Sequence, residues 1–144
     1  MISRDEIQNF NKKFDVVSVF MDHNGETLLL HRQDGKPQGN TWAMLAGKVD
    51  VGEDLLDALI REVYEEIGLK TNREDYEYFE KYYVRYPEYD YLYHVYHLAA
   101  KDRPNINLNL KEHKDIKWIK PKDALNLDLI QDEDVCIKWF YNLE

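Results

Sequence analysis

Three glutamates near the middle of the chain are the side chains best suited to do chemistry. Glu62, Glu65 and Glu66 stand at positions i, i+3 and i+4 of a run of helix-forming residues. On an α-helix this spacing places them on one arc about 100° wide, where the carboxylates repel one another by roughly a few tenths of a kcal/mol per pair. Mg²⁺ binds through a few carboxylates together with substrate phosphates. The arc therefore indicates a divalent-metal site or, taken alone, an acidic helix face in solvent.

The helix that carries these glutamates is predicted from its apolar residues and its two ends. The apolar residues that recur at helical intervals beside the acidic arc are Leu56, Leu59, Ile60, Val63 and Ile67. They are expected to face the core. A loop with two glycines, residues 47–52, precedes the helix, which begins at Asp54. Gly68 is suited to end it as a C′ residue, because glycine adopts the left-handed conformation without strain.

The residues around the glutamates follow the spacing G-x5-E-x7-R-E-U-x-E-E-x-G-U, in which U is a bulky aliphatic residue. The residues at the fixed positions are Gly47, Glu53, Arg61, Glu62, Val63, Glu65, Glu66, Gly68 and Leu69. Residues 47–69 therefore resemble the Nudix box, the signature of hydrolases that act on a nucleoside diphosphate linked to another moiety. No fixed position is missing. The resemblance extends to the MutT-type members of the family.

The resemblance implies roles for the residues of the box. In a loop–helix–loop, Glu62, Glu65 and Glu66 would hold Mg²⁺ or Mn²⁺, and the carbonyl of Gly47 would be a further ligand. Glu53 and Arg61 would form a supporting ion pair. A different class of function is a binding module with the Nudix fold that senses nucleotides without cleaving them. Such a module would be expected to lack one of the helix carboxylates, and here all are present.

Phosphate chemistry also needs positive groups that bind the oxygens of the substrate and disperse charge in the transition state. In MutT-type members an arginine at the offset of Arg32 lies in the substrate pocket. The alternative for Arg32 is a strand-end arginine in solvent. Lys48, inside the glycine loop, is a second candidate for stabilising charge on the leaving phosphate.

MutT-type enzymes carry a glutamate six residues before a tryptophan, in a loop that reaches back to the metals. Glu112 stands six residues before Trp118, which implies metal ligation and orientation of the attacking water. The alternative is an ordinary charged loop, since lysines flank Glu112 and its neighbour. That neighbour, His113, is an alternative general base, although a single loop histidine is more often incidental.

Asp132 falls near the place where MutT-like enzymes present a residue to the edge of the nucleobase. It is also well placed to cap a final helix, and we rank this capping role above base recognition. The remaining histidines are interpreted as structural; they are His23, His31, His94 and His97. His94 and His97 would point to opposite faces of a strand, so they cannot share a metal.

Composition limits the class of protein. With 144 residues, 44% of them hydrophobic, the chain is expected to form one domain, residues 1–144. Its net charge of −9, from 28 acidic and 19 basic residues, argues against a nucleic-acid partner but allows a small anionic nucleotide if cations neutralise the site. Cys136 is the only cysteine, which excludes an internal disulfide. No apolar stretch of signal-peptide or membrane-spanning length is present, so we expect a cytoplasmic protein without a membrane partner, as a monomer or a homodimer.

The pattern along the chain predicts an α/β protein. A capping box at Ser3–Glu6 predicts an N-terminal helix. Strands are predicted at residues 14–21, 27–32, 41–46, 76–85, 91–100 and 115–119, with an Asn24-Gly25 hairpin turn after the first. A short helix is predicted from Pro121 to Leu125. A final helix capped by Asp132 would turn Val135, Trp139 and Phe140 inward. These elements predict a mixed sheet covered on both faces, which agrees with the α/β/α sandwich of the Nudix fold.

The mechanism that we expect is metal-assisted hydrolysis of a pyrophosphate bond, in which Glu66 or Glu112 orients or deprotonates the attacking water. The favoured substrate is a (deoxy)nucleoside triphosphate, either normal or oxidised, which would give a nucleoside monophosphate and pyrophosphate. The alternatives are ADP-ribose or a nucleotide sugar, and then a dinucleoside polyphosphate. These substrate assignments follow from the resemblance, since a fold alone does not determine specificity.

Overall fold

Eight strands form one mixed sheet, which is covered by helices on both faces. The computed structural model describes all residues 1–144. The strands are β1 (Ile2–Ser3), β2 (Lys12–His23), β3 (Glu26–Arg32), β4 (Trp42–Ala43), β5 (Leu45–Lys48), β6 (Glu77–Arg85), β7 (Asp90–Ala99) and β8 (His113–Ile119). The helices are α1 (Leu55–Ile67), α2 (Pro121–Ala124) and α3 (Glu133–Tyr141), with a 3₁₀ turn at Arg73–Asp75.

The long strand β2 is the centre of the sheet. The strand order is β1-β6-β7-β2-β3-β4, with β5 paired to β2 and β8 paired to β3. The β2–β7 pair is parallel, and all other pairs are antiparallel. Because β5 leads directly into the glycine loop, its pairing with β2 fixes where the loop leaves the sheet. Val17 of β2 lies opposite Gly47 in this register.

Alternation along β2 divides the core into two layers. Val17, Val19 and Met21 pack with the buried side of α1, whereas Phe20, on the opposite face, packs in the layer that includes Ile137 of α3. The two helices therefore cover opposite faces of the sheet. The prediction of an α/β/α sandwich around a mixed sheet is confirmed.

Both ends of α1 form as the sequence indicated. Asp54 is the N-cap, and its side chain accepts a hydrogen bond from the backbone N–H of Asp57 at 3.2 Å. Gly68 adopts φ 70°, and its N–H donates to the carbonyl of Tyr64. The Asn24-Gly25 turn between β2 and β3 has φ values of 50° and 77°, as a type I′ hairpin requires.

The prediction of an N-terminal helix is wrong. Ile2 and Ser3 form a short strand that pairs with Val84 and Tyr83 of β6. The Ser3 hydroxyl accepts a hydrogen bond from the N–H of Asp5 at 3.0 Å, which is a local turn that competes with helix formation. Pairing with the sheet edge therefore outweighs helix propensity in this segment.

The details of α3 also differ from the prediction. Asp132 holds the N-cap position at φ 69°, but its side chain makes no capping hydrogen bond. The buried residues of the helix are Glu133, Cys136 and Ile137, whereas the three residues expected to point inward, Val135, Trp139 and Phe140, are only partly buried. The predicted strand 41–46 is interrupted at Met44, which separates β4 from β5. None of the helices has the length and apolar character needed to cross a membrane.

Candidate active site

At the site, the glycine loop lies in close contact with α1. Glu62 packs so tightly against Gly47 that a Cβ atom at Gly47 would overlap the Glu62 carboxyl group. A larger residue at this position would therefore displace the Glu62 side chain; the φ of Gly47 is not positive, so space rather than backbone conformation favours glycine. Glu62 is largely buried, with 13% of its side chain exposed, whereas Glu65 is 50% exposed. The arc thus runs from a buried carboxylate to a solvated one.

Arg61 holds the acidic arc together. Its Nε and Nη2 donate to the two carboxylate oxygens of Glu53, each at 2.9 Å, so the predicted supporting pair is present as a bidentate contact. Nη1 donates to Glu62 at 2.9 Å and lies 3.3 Å from Glu65. Nη2 also donates to the Lys48 carbonyl at 3.2 Å, which ties the loop to the helix.

The electrostatics of the arc follow from these contacts. The hydrogen bond to Arg61 lowers the pKa of Glu53, and the same bond raises the pKa of Arg61. Burial raises the pKa of Glu62, and the neighbouring charges of Glu65 and Glu66 add to this effect. The guanidinium of Arg61 offsets part of the repulsion.

The site suits a divalent cation through the chemistry of its oxygen ligands, although these ligands do not form a preformed metal site. The structure contains no group of three or more acidic, histidine or cysteine side chains already placed to hold a metal ion. Glu62 and Glu65 are turned toward Arg61, and Glu66 is turned toward His113. The three glutamates are therefore not already directed toward one common metal position. Carboxylate oxygens on one face, beside an open pocket, still suit Mg²⁺, which keeps several waters and substrate oxygens as ligands.

A cavity of about 250 Å³ adjoins the arc. The predicted site residues that line it are Gly47, Lys48, Glu66, Arg32, Glu112 and Asp132. Glu62 and Glu65, and the pair Glu53 and Arg61, do not line it. The structure thus brings the predicted substrate contacts to one cavity, next to one member of the acidic arc.

The cavity cations are held by different neighbours. Arg32 ends β3, where it pairs with His113 of β8, and its Nε donates to the Pro37 carbonyl at 3.0 Å. The Lys48 ammonium lies over the ring of Phe14, 4.4 Å from its centroid. Lys48 makes this cation–π contact and has no carboxylate partner, so its charge is available to an anionic ligand.

The segment before β8 reaches the site because it is docked on the C-terminal end of α1. The N–H of Asn107 donates to the carbonyl of Ile67 at 2.8 Å, and the N–H of Asn109 donates to the carbonyl of Glu66 at 2.9 Å. Glu112, which follows, is paired with Lys36 at 3.0 Å. The segment is therefore packed against α1, while the Glu112 side chain stays partly exposed, and its role in metal binding stays a prediction.

His113 is more than an incidental loop histidine. Its Nδ1 lies 3.1 Å from Oε2 of Glu66, and both side chains are almost entirely buried. From its position in the sequence, His113 is only an alternative general base. The contact with Glu66 depends on the docking of the preceding segment, which no local pattern encodes.

Glu133 is the residue that sequence reasoning missed. It is buried and lines the cavity. One carboxyl oxygen accepts a hydrogen bond from the N–H of Met44, while Oε2 has no partner. Burial raises the pKa of Glu133 to about 8, so the carboxyl is mostly neutral at pH 7. Oδ2 of the adjacent Asp132 is also buried without a partner. Buried polar atoms without partners are rare, and these two oxygens are available to a ligand in the cavity.

Three tyrosines complete the cavity wall. Tyr86, Tyr91 and Tyr93 line it, and the rings of Tyr86 and Tyr91 meet edge to face at 5.6 Å. They come from the β6–β7 turn and from β7, which lies beside the central strand. Eleven tyrosines are spread through the sequence, so their number alone does not indicate which of them reach the site.

The family of the chain follows from comparison with known proteins. A family model described as the NUDIX domain matches residues 11–140. The chain belongs to the Nudix family. The prediction of a Nudix hydrolase, an enzyme acting on phosphorus-containing anhydrides, is thereby confirmed, and hydrolases of this family use divalent metal ions.

Individual known proteins resemble the chain over most of its length. The CTP pyrophosphohydrolase of Escherichia coli (strain K12) is 28% identical over 120 residues, which cover 82% of this chain and 84% of that protein. The solution structure of the E. coli ORF135 protein has a TM-score of 0.76 at 23% identity, covering 96% of this chain and 94% of that one.

A second similar structure belongs to a larger protein. The structure of a bifunctional NMN adenylyltransferase/ADP ribose pyrophosphatase from Francisella tularensis, complexed with AMP and a manganese ion, has a TM-score of 0.70 at 22% identity. It covers 93% of this chain, but the chain spans only 42% of that protein. At this identity the likeness shows the fold.

Proposed function

We propose that this Nudix enzyme hydrolyses a (deoxy)nucleoside triphosphate, normal or oxidised, to a nucleoside monophosphate and pyrophosphate with the help of Mg²⁺. The observation that carries the proposal is a single cavity lined by a box glutamate, two cations, three tyrosines and two unpaired buried carboxyl oxygens. Such a lining offers separate contacts for phosphates and for a base. The 28% identity to a CTP pyrophosphohydrolase supports the same class of substrate.

The residues that would hold Mg²⁺, or Mn²⁺ in its place, are Glu62, Glu65, Glu66, the Gly47 carbonyl and Glu112. When bound, a divalent cation supplies charge stabilisation at the phosphates and activation of water. Without a cation, the contacts of Arg61 with Glu62 and Glu65 hold these two carboxylates side by side.

The phosphate groups would be bound by Arg32 and Lys48, whose positive charges lie at the cavity in a chain of net charge −9. These cations disperse the charge that develops on the leaving pyrophosphate. Glu66 or Glu112 would orient the attacking water and accept its proton. Both carboxylates line the same cavity as the cations, which supports this division of roles.

The nucleobase of the substrate would lie near the three tyrosines, against Asp132 and Glu133. A neutral Glu133 can donate its O–H, and the Asp132 carboxylate can accept. This pair suits the edge of a nucleobase, which carries both donors and acceptors. For Asp132 we now favour base recognition over helix capping, because its side chain makes no capping hydrogen bond.

A second candidate is hydrolysis of ADP-ribose, a nucleotide sugar or a dinucleoside polyphosphate. The presence of Tyr86 in the cavity wall favours a substrate with a second aromatic or sugar group.

A substrate panel tests these proposals. The protein is incubated with Mg²⁺ and each nucleoside triphosphate, ADP-ribose, nucleotide sugars and dinucleoside polyphosphates, and pyrophosphate is resolved from orthophosphate and sugar phosphates. We expect the highest kcat/KM for a nucleoside triphosphate, with release of pyrophosphate. A preference for ADP-ribose or a dinucleoside polyphosphate would overturn the substrate assignment. Binding without turnover of any of these compounds would overturn all the proposed substrates.

A further inference from the structure

Glu66 is enclosed by a ring of hydrogen bonds that begins and ends on the residue itself. Its backbone carbonyl accepts from the N–H of Asn109 at 2.9 Å, and the Asn109 carbonyl accepts from the N–H of His113 at 3.1 Å. The ring closes where Nδ1 of His113 meets Oε2 of Glu66 at 3.1 Å. Only 12% of the His113 side chain and 11% of the Glu66 side chain are exposed. Glu66 is therefore held through both its backbone and its carboxylate.

The side-chain contact has a defined direction. A carboxylate oxygen can only accept, so Nδ1 of His113 carries the proton and donates it. The imidazole is held by its own backbone, since His113 also pairs with Arg32 across the β3–β8 ladder. A rigid donor that commits one oxygen of a carboxylate restricts its rotamers and leaves the other oxygen for a reaction partner.

We propose that His113 is a positioning residue that orients Glu66 for the reaction. It acts through Oε2 and leaves Oε1 directed to the cation or to the attacking water. The proposal rests on the proposed function, because it assumes that Glu66 takes part in hydrolysis. It assigns to Glu66 a support different from that of Glu62 and Glu65, which are held by Arg61.

The geometry of side-chain amides provides the test. An asparagine at position 113 places its amide nitrogen close to where Nδ1 of the imidazole lies, whereas a glutamine places it close to Nε2. His113→Asn can therefore still donate to Glu66, and His113→Gln and His113→Ala cannot do so in the same geometry. His97→Ala is a matched control, because His97 also contacts a carboxylate, Asp22, at 2.7 Å, but lies outside the cavity.

The experiment compares the wild type with these variants in three measurements: kcat and KM for the best nucleotide of the panel, Mn²⁺ affinity by electron paramagnetic resonance without nucleotide, and thermal unfolding. We expect His113→Gln and His113→Ala to lose about 10- to 100-fold in kcat, with KM within about threefold and weaker Mn²⁺ binding, as for other residues that support ligands. His113→Asn should recover most of the loss. All variants should unfold at nearly the wild-type temperature.

The contrary outcomes are distinct. Equal kcat and Mn²⁺ affinity in the wild type and all three variants would overturn the proposal. Equal loss of kcat in all three folded variants would show that the imidazole acts directly, which also overturns a positioning role. Unfolding of all three would show a purely structural role. If the wild type turns over no compound, the proposed function fails, and the Mn²⁺ affinities still decide whether His113 orients Glu66.

Discussion

Two acidic clusters border the site, and they are built in opposite ways. On α1, Arg61 pairs with Glu62 and Glu65, and Glu66 contacts His113. At the start of α3, Glu133 is buried and Asp132 is partly buried at the cavity, and each has one buried oxygen without a partner. A carboxylate with a cation beside it stays ionised, whereas a buried one without a cation becomes neutral.

Because their surroundings differ, the carboxyl groups of the two clusters are suited to different chemistry. The α1 cluster presents negative oxygens, which suit a divalent cation and the activation of water. The α3 cluster presents a neutral O–H beside an acceptor, which suits hydrogen bonding to an uncharged base. Four substitutions test this comparison, beginning with the largest expected effect.

Glu66→Gln removes a charge from the α1 cluster while preserving the shape of the side chain. We expect kcat to fall by roughly 10²–10⁴-fold with little change in stability, because an amide cannot accept the proton of the attacking water. Steady-state kinetics with Mg²⁺ and a thermal unfolding curve measure both quantities. Glu74→Gln, at an exposed residue, is the control. Activity equal to that of the wild type would remove Glu66 from the mechanism.

Gly47→Ala displaces the buried member of the same cluster. The added methyl group would overlap the carboxyl of Glu62, so Glu62 must move, and we expect kcat to fall by about 10- to 100-fold. Gly35→Ala is the matched control, since a Cβ at Gly35 meets no atom within 4 Å. Kinetics of both variants at saturating Mg²⁺ make the comparison. Full activity of Gly47→Ala would mean that the position of Glu62 does not matter.

Glu133→Gln tests the neutral state of the α3 cluster through stability. Burial raises the pKa of Glu133 from 4.5 to about 8, so between these values the folded protein binds a proton that the unfolded chain releases. The stabilisation is complete below the unfolded pKa and is lost as the pH rises through the folded pKa. Relative to Glu133→Gln, the wild type should lose up to about 1.4 kcal/mol of unfolding free energy per pH unit in this window.

Urea unfolding at several values between pH 5 and pH 8 measures this difference. Asp134→Asn, at the exposed neighbouring residue, controls for a general change of charge on α3. Parallel pH profiles for the wild type and Glu133→Gln would contradict a neutral Glu133.

Asp132→Asn is expected to have the smallest effect, on the choice of base. Asparagine tolerates the left-handed backbone at φ 69°, so the fold should be retained while an acceptor is replaced in part by a donor. We expect the ratio of kcat/KM between nucleotides that differ only in the base to change by about tenfold. The substrate panel, repeated with Asp132→Asn and with Asp134→Asn, measures it. An unchanged ratio would place base recognition elsewhere.

Sequence reasoning succeeded where the signal is local. The helix α1, its N-terminal start at Asp54 and its end at Gly68 follow from residues within a few positions of one another. The same holds for the Asn24-Gly25 hairpin. It failed at the N-terminus, where Ile2 and Ser3 pair with a strand about eighty residues away, since no local pattern reports such a partner.

The sequence by itself determined the family, the helix that carries three glutamates and the order of the main elements, because spacing along a helix controls which side chains share a face. Only the tertiary structure decided that Arg32, His113 and Glu133 meet at one cavity with Glu66, and that the glutamates turn toward Arg61 and His113. These residues come from β3, β8, α3 and α1, which the order of the sheet brings together. Burial and partner choice depend on that assembly, so the protonation of Glu133 and the orientation of Glu66 are properties of the fold.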